Sequence, residues 1–461
     1  MSCVTPVTRV AGREVTTLDG LDAATLEPLV EAFDATAASQ CGFCTPGILV
    51  RLAAALSKGP LDDRAARSAL SAHLCRCTGF QPIVEAAMAA SGSERAPGRD
   101  PVAATARATL ESGTTQLAGR DVTLGRAPFA DDTAPPGALV AMGFGEEGYE
   151  VAATAAASRA AAGVRQGRNS TVALVHPVAL PDGEFDLVLR TTWVEPAYLE
   201  PDASWCAPGG VAASAFGNAG AFGAKRRSPV AQDASDLAAR LGATVAVRWS
   251  REAVVLRGEK RPPLALGLRR DGTGAVVLAT TAASGPLDEV VAAITAAFPL
   301  LEVRVVEVPG PKVGVTHRGA GLAEVLAARA VLGADEDGTC EVTTANGAVA
   351  RVCVGDGAID VRVDAGEPLC RATLRSYAIG AVHQAFSMVR TEAIALDDGG
   401  RPVDLTIRSY GITPARSMPR VDVEIVDAAR PAVAAGTAVF AAALGAVWLA
   451  EGSGPTWPTA R

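Results

Sequence analysis

Aromatic side chains are scarce. Five Trp, four Tyr and eleven Phe make up 4% of the 461 residues, so the cores must be packed from aliphatic and small side chains. Basic charge is also in short supply. Lys and Arg number 42 against 50 Asp and Glu, a formal net charge of -8, the wrong sign for a general nucleic-acid binder. Hydrophobic residues at 49% and charged residues at 20% exclude a mostly disordered chain. Only four histidines are present, His73, His176, His317 and His383, too dispersed for a metal-ligand pattern. No G-x-S-x-G or other local support for a Ser/His/Asp arrangement exists, and no internal repeat is evident.

The first residues lack a basic stretch followed by an apolar core, so no secretory signal is visible and a cytoplasmic location is expected. Long apolar runs are lacking except from Pro431 to Ala450, a stretch without a charged residue. Alanine and glycine dominate it, and such residues gain little from lipid. A buried helix is therefore expected there rather than a membrane span. A length of 461 residues suggests about three domains.

The nine cysteines form no even-numbered framework. Four of them, Cys41, Cys44, Cys75 and Cys77, lie in one short window, with Cys3 upstream and Cys206, Cys340, Cys353 and Cys370 scattered downstream. The window 20–91 reads as a compact helical unit. Leu26, Leu29, Val30 and Phe33 repeat at helical spacing. Thr45-Pro46 starts a second helix with Ile48, Leu49, Leu52 and Leu56 inward. Asp62 or Asp63 caps a third, running through Ala66 and Leu70 to Leu74, and Pro82 opens a fourth. The expected class is an all-α four-helix unit followed by an α+β region, with the cysteines at helix ends. Downstream, strands are predicted at 186–190, 243–249, 275–280, 302–308 and 421–426, and helices at 151–162, 230–241, 287–297 and 322–332.

C-x2-C followed after thirty residues by C-x-C can bring four thiolates to one centre. That set suits tetrahedral zinc or an iron–sulfur cluster. The one-residue gap is uncommon among closed zinc sites, which favours the cluster. A redox C-x-x-C is the third reading, but its expected βαβ setting is missing.

The flanking residues carry more. Gln40-Cys41-Gly42-Phe43-Cys44-Thr45-Pro46-Gly47 and Leu74-Cys75-Arg76-Cys77-Thr78-Gly79-Phe80 resemble the helical [2Fe-2S] domain of the xanthine dehydrogenase and aldehyde oxidase family, the molybdenum hydroxylases. Residues 1–19 are similar to the tail of that family's preceding plant-type ferredoxin domain. Cys3 matches its last ligand there, but the other three are absent, so Cys3 is expected to be an orphan thiol.

From about residue 115 the chain resembles the family's molybdopterin subunit in landmarks. These are 125–132, Tyr198–Pro201, the glycine loop Gly220-Ala221-Phe222-Gly223-Ala224-Lys225, His317-Arg318-Gly319-Ala320-Gly321, Ile379 to Glu392, and Tyr410–Pro414. The resemblance implies a vestigial pterin site at Gly220, Phe222, Gly223 and Arg318. Carboxylates Glu200, Glu324 and Glu392 fall on landmarks and are expected to be structural. The family's base lies in a K-G-x-G-E motif, whose counterpart at 429–437 has no carboxylate. About forty residues between Leu332 and Arg375 replace a much longer family stretch.

The resulting division is 1–19, a ferredoxin-like remnant; 20–91, the helical [2Fe-2S] domain; 92–114, a linker; and 115–332 and 333–461, two parts of a molybdopterin-subunit-like region. The resemblance implies one [2Fe-2S] cluster held by Cys41, Cys44, Cys75 and Cys77. The departures from the family, the missing base and the shortened stretch, lead to the expectation that molybdopterin is not bound. Nothing resembles the family's FAD domain, so no FAD is expected. The resemblance points to an electron-transfer component working with molybdenum-containing and FAD-containing subunits, with no catalytic residue of its own. Two alternatives stand beside it. One is an active, divergent hydroxylase of N-heterocycles or aldehydes. The other is a non-enzymatic structural or eroded protein.

Overall fold

A computed structural model describes residues 6–92, 97–163 and 172–460, so Cys3 lies outside the described residues. Four helices open the fold: α1 (Ala23–Ala35), α2 (Thr45–Leu56), α3 (Asp63–Ala69) and α4 (Gln81–Ala89). Asp22 and Asp62 cap α1 and α3 by accepting from the Thr25 and Ala65 N–H groups. These helices pack around Leu29, Phe33, Ile48, Leu49, Leu52, Leu70, Phe80 and Ile83. Two boundaries differ from the sequence-based expectation. Cys44 rather than Thr45 caps α2, because the Thr45 hydroxyl is engaged by Ser39 at 3.0 Å. Helix α3 stops at Ala69, so Leu74 stands in the loop that carries Cys75 and Cys77.

The segment expected to be a linker contains α5 (Pro101–Ser112), capped by Asp100. Its Arg107 and Glu111 side chains are buried against the C-terminal part of the chain, so it is packed structure. The small helix α6 (Arg120–Thr123) follows.

Three four-stranded sheets make the rest. Strands β1 (Leu139–Gly143) and β2 (Glu150–Ala152), helix α7 (Ala155–Ala161), β3 (Leu187–Arg190), β4 (Ala203–Cys206), α8 (Val230–Leu241), β5 (Val245–Trp249) and α9 (Arg251–Arg257) come first. Then come β6 (Leu264–Leu268), β7 (Gly274–Thr280), α10 (Asp288–Ala297), β8 (Leu301–Glu307) and α11 (Leu322–Leu332). The chain ends with β9 (Cys340–Thr343), β10 (Val349–Val354), β11 (Ala358–Asp364), α12 (Arg371–Arg390), β12 (Arg420–Ile425) and α13 (Gly436–Ala450). The sheet orders are β2-β1-β5-β4, β3-β6-β7-β8 and β12-β11-β10-β9. In the last two, β7–β8 and β11–β12 run parallel, since α10 and α12 carry the chain back across each sheet.

Helix α13 is apolar on every face and packs on α11, α12, β9 and β10. It is a core helix, and no helix among the described residues is long and apolar enough to cross a membrane. Helix α12 is almost as deeply buried. Gly380 at its centre faces the Cys77 carbonyl so closely that a Cβ would lie 1.7 Å from that oxygen. The helical unit is thus seated directly on α12.

Candidate iron–sulfur site

Two loops bring the four cysteines together. The first, between α1 and α2, turns at Gly42, whose φ of +85° and contact with Val122 leave no room for a Cβ. The second, between α3 and α4, reverses at Gly79 and Phe80, with φ of +61° and +67°. Cys41, Cys75 and Cys77 are buried and Cys44 is half-buried.

The thiols form two pairs. Cys41 Sγ and Cys77 Sγ lie 3.5 Å apart, and the Cys44 and Cys75 thiols hydrogen-bond one another. Each pair joins one cysteine from each loop. Two thiolates bound to one tetrahedral metal at about 2.3 Å stand roughly 3.8 Å apart, so the Cys41–Cys77 pair has close to the spacing of two ligands on one metal. Among the described residues, no three or more His, Cys, Asp or Glu side chains converge as ligands of a single metal ion. Four thiols in two facing pairs are a donor set that an iron–sulfur cluster can use.

The electrostatics agree. The bond from Cys44, the Thr78 hydroxyl at 3.1 Å and the Thr78 and Cys77 N–H groups pull the Cys75 thiol down to about 6 despite its burial. Cys44 and Cys77 are pushed well above the usual thiol range by their bonds to Cys75 and Cys41 and by burial. Four thiolates in so small a volume repel one another unless a cation compensates them.

The second region forms the other wall of this site. Asn218 Nδ2 donates to the Cys41 carbonyl at 2.9 Å. A Cβ on Gly220 would sit 2.6 Å from Cys77 Sγ and 3.0 Å from Cys41 Sγ. Gln40 Nε2 bridges the Cys77 carbonyl at 3.0 Å and Ser376 Oγ at 2.9 Å. Arg76, between two of the cysteines, turns away from them. Its Nη2 donates to Glu392 Oε2 at 2.7 Å and its Nε to the Pro196 carbonyl at 3.1 Å, while Gln384 Nε2 donates to the Arg76 carbonyl at 3.1 Å. Of these contributors, Asn218 and Ser376 are not singled out by the sequence, and Gln384 falls on a landmark without any tie to the cysteines, because nothing in a single chain links residues more than 140 positions away to the cysteine window.

The residues assigned to a pterin site divide. Gly220 faces the cysteines. Phe222, Gly223 and Arg318 come together elsewhere, with the Arg318 guanidinium 4.0 Å above the Phe222 ring and Gly223 pressed on the Thr316 carbonyl. The three landmark carboxylates lie in separate buried ion pairs, Glu392 with Arg76, Glu324 with Arg261 and Glu200 with Lys225. The four histidines stay apart. His317 and His383 are buried, and burial holds the His383 imidazole down at about 4.

A four-thiol site on a helical unit is thus joined to an α+β body of three sheets. Residues 17–88 match the family described as the [2Fe-2S] binding domain. The nicotine 6-hydroxylase small subunit of Paenarthrobacter nicotinovorans is 44% identical over 92 residues, 20% of this chain and 56% of that protein. A nicotinate dehydrogenase subunit of Pseudomonas putida is 40% identical over 98 residues, covering 21% and 62%. Aldehyde oxidase 1 of Oryctolagus cuniculus is 42% identical over 90 residues, but only 7% of its length is covered. The chain therefore spans less than two thirds of these relatives. In overall fold it is similar to the aldehyde oxidoreductase of Desulfovibrio desulfuricans, with a TM-score of 0.68 at 13% identity, covering 99% of this chain and 92% of that one. The corresponding enzyme of Desulfovibrio gigas gives 0.65 at the same identity and coverage. The match over residues 17–88 and the relatives that share it support the resemblance of this [2Fe-2S] domain to those of the molybdenum hydroxylase family of xanthine dehydrogenases and aldehyde oxidases.

Proposed function

We propose that this chain is a [2Fe-2S] electron-transfer component of a xanthine dehydrogenase or aldehyde oxidase-like molybdenum hydroxylase, with Cys41, Cys44, Cys75 and Cys77 as cluster ligands. The observation that carries this is the pairing of the four thiols across two loops, Cys41 with Cys77 and Cys44 with Cys75. A cluster bound there supplies a one-electron carrier, whose potential responds to burial and to hydrogen bonds near sulfur. The chain's own residues hold the loops and exclude water. Gly42, Gly79 and Gly220 allow the close approach, Asn218 and Gln40 tie down the carbonyls, and Thr78 donates toward Cys75.

The molybdopterin-like region serves in this reading as a catalytically inactive wall and dock for the cluster. Its partners would be a molybdenum-containing and an FAD-containing subunit. The bonding of one carboxylate that reaches the 429–437 stretch is in keeping with this reading. Glu111 of α5 reaches it, but the Ala435 and Gly436 N–H groups and Arg107 Nη1 already donate to its oxygens at 2.9–3.2 Å. Its oxygens are thus committed to bonds that hold α5 against the start of α13.

The test is metal and sulfide analysis of anaerobically purified protein, with absorption spectra before and after dithionite. The expected result is two irons and two sulfides per chain, no molybdenum, and visible bands that bleach on reduction. Zinc in place of iron would overturn the cluster assignment. Stoichiometric molybdenum would overturn the inactive second region.

A further inference from the structure

Strand β8 ends the sheet β3-β6-β7-β8, and among the described residues it pairs with β7 alone, in parallel. Its Leu301 is buried and Val303 packs on the core, but Glu302, Arg304, Val305, Val306 and Glu307 are exposed. The N–H of Val308 donates to the Thr280 carbonyl at the end of β7, whereas that of Leu301 turns away to the Phe298 carbonyl. Peptide groups alternate sides along a strand. Those of Val303, Val305 and Glu307 therefore face outward, and among the described residues no strand or isolated bridge takes them up.

Sheet edges are ordinarily shielded by proline, bulges, lysine or brevity. β8 has seven residues, no proline, glycine or lysine, and an unbroken register with β7. Its Glu302 and Arg304 neutralise one another through two bonds of 2.6 and 2.7 Å. Beside them lie the apolar side chains of Leu300, Val305 and Val306, 62%, 45% and 38% exposed. An open edge of this kind is a template for another strand.

The order of the side chains selects the partner. With a second β8 laid antiparallel and Val303 opposite Val303, each Glu302 faces the Arg304 of the other copy, Leu301 faces Val305 and Leu300 faces Val306. The outward peptide groups of the two Val303 residues then meet, as an antiparallel ladder requires. Sliding the copies by two residues opposes Arg304 to Arg304 or Glu302 to Glu302, and like charges directly opposite destabilise a strand pair. We infer that β8 is the interface for a second copy of this chain, joined edge to edge about a two-fold axis so that two four-stranded sheets become one. The inference uses none of the four paired cysteines and does not rest on the cluster reading.

Sedimentation velocity on the full chain, from about 1 µM to about 1 mM, tests this. A concentration-dependent equilibrium between monomer and dimer is expected. Glu302→Arg and Arg304→Glu each set like charges opposite one another in the dimer, and each weakens it about tenfold. Mixed in equal amounts, the two variants restore complementary charges and form a heterodimer as tight as the parent dimer. A general change in surface charge or folding would not produce that rescue. Val305→Pro removes an outward N–H, leaves the bonds to β7 in place and abolishes dimerisation. Should that variant fail to fold, the charge variants decide. A chain that stays monomeric throughout, a dimer indifferent to both charge variants, or a mixture of the two without rescue would overturn the interface.

Discussion

At the scale of single residues, the cysteine site depends on absent side chains as much as on thiols. Gly220 takes a φ of +57° and offers no Cβ where Cys77 Sγ and Cys41 Sγ would be 2.6 and 3.0 Å away. Replacing it with Ala adds a methyl group against two sulfurs and puts an L residue in the left-handed region. The two effects together cost on the order of 2–4 kcal/mol. Gly220→Ala is therefore expected to purify with reduced iron per chain and a shifted absorption or paramagnetic resonance spectrum. An unchanged spectrum and iron content would show that the 218–223 loop does not wall the cluster. A glycine loop by itself is most often a tight turn, and it is the family resemblance that implies a vestigial pterin site including Gly220. The structure puts its Cα on the cysteines because the loop bends at Asn218, whose side chain caps the Cys41 carbonyl.

At the scale of elements, the joint between the cysteine loops and α12 is polar and buried. Arg76 and Glu392 are about as buried as any apolar core residue, and their pair is reinforced by Pro196 and Gln384. Removing one charge leaves the other stranded, at a cost of about 3–5 kcal/mol, whereas removing both can be nearly neutral. Glu392→Gln should accordingly destabilise the chain strongly in urea denaturation, and Arg76→Met combined with Glu392→Leu should recover most of the loss. Equal losses in the single and double variants would mean that the pair does not couple the two parts. The same joint shows what a sequence can reveal. Local periodicity and capping residues locate α1, α2, α8, α10, α11 and five of the strands to within a few residues, because those signals lie inside each element. The cysteine spacing likewise draws attention to the right four residues. The pairing of Cys41 with Cys77, the turn of Arg76 toward Glu392 and the burial of α5 through Arg107 all depend on contacts across more than 30 residues, and no local pattern encodes them. Strands β9 to β11, of four, six and seven residues with alternating burial, carry the same period-two signal and lie outside the predicted set.

For the whole molecule, the buried histidines make stability depend on pH in a definite direction. His383 is fully buried in α12, donates through Nε2 to the Thr413 carbonyl at 2.9 Å, and packs edge-on to Phe80 of the cysteine loop. Burial, aided by the charge of Arg76, holds its folded pKa at about 4 against 6.5 for the free side chain. Between those values the unfolded chain binds a proton that the folded chain does not. The stability is therefore complete above pH 6.5 and is lost as pH falls toward 4, by up to about 3 kcal/mol. His317, lowered by burial and by Arg261, adds in the same direction. Glu200 opposes them, because burial raises it to about 7 even beside Lys225, and a carboxyl that is protonated in the folded state loses its contribution as pH rises from 4.5 to 7. The histidine contribution is isolated by difference. His383→Gln should flatten the fall in urea-unfolding free energy between pH 6.5 and 4 relative to the parent chain, while the slope near pH 7 stays the same. Parallel curves for parent and variant would show that the imidazole is reached by protons in the folded state. In that event the seat of the cysteine loops on α12 is looser than its packing implies, because the same helix that encloses His383 carries Gly380 against Cys77.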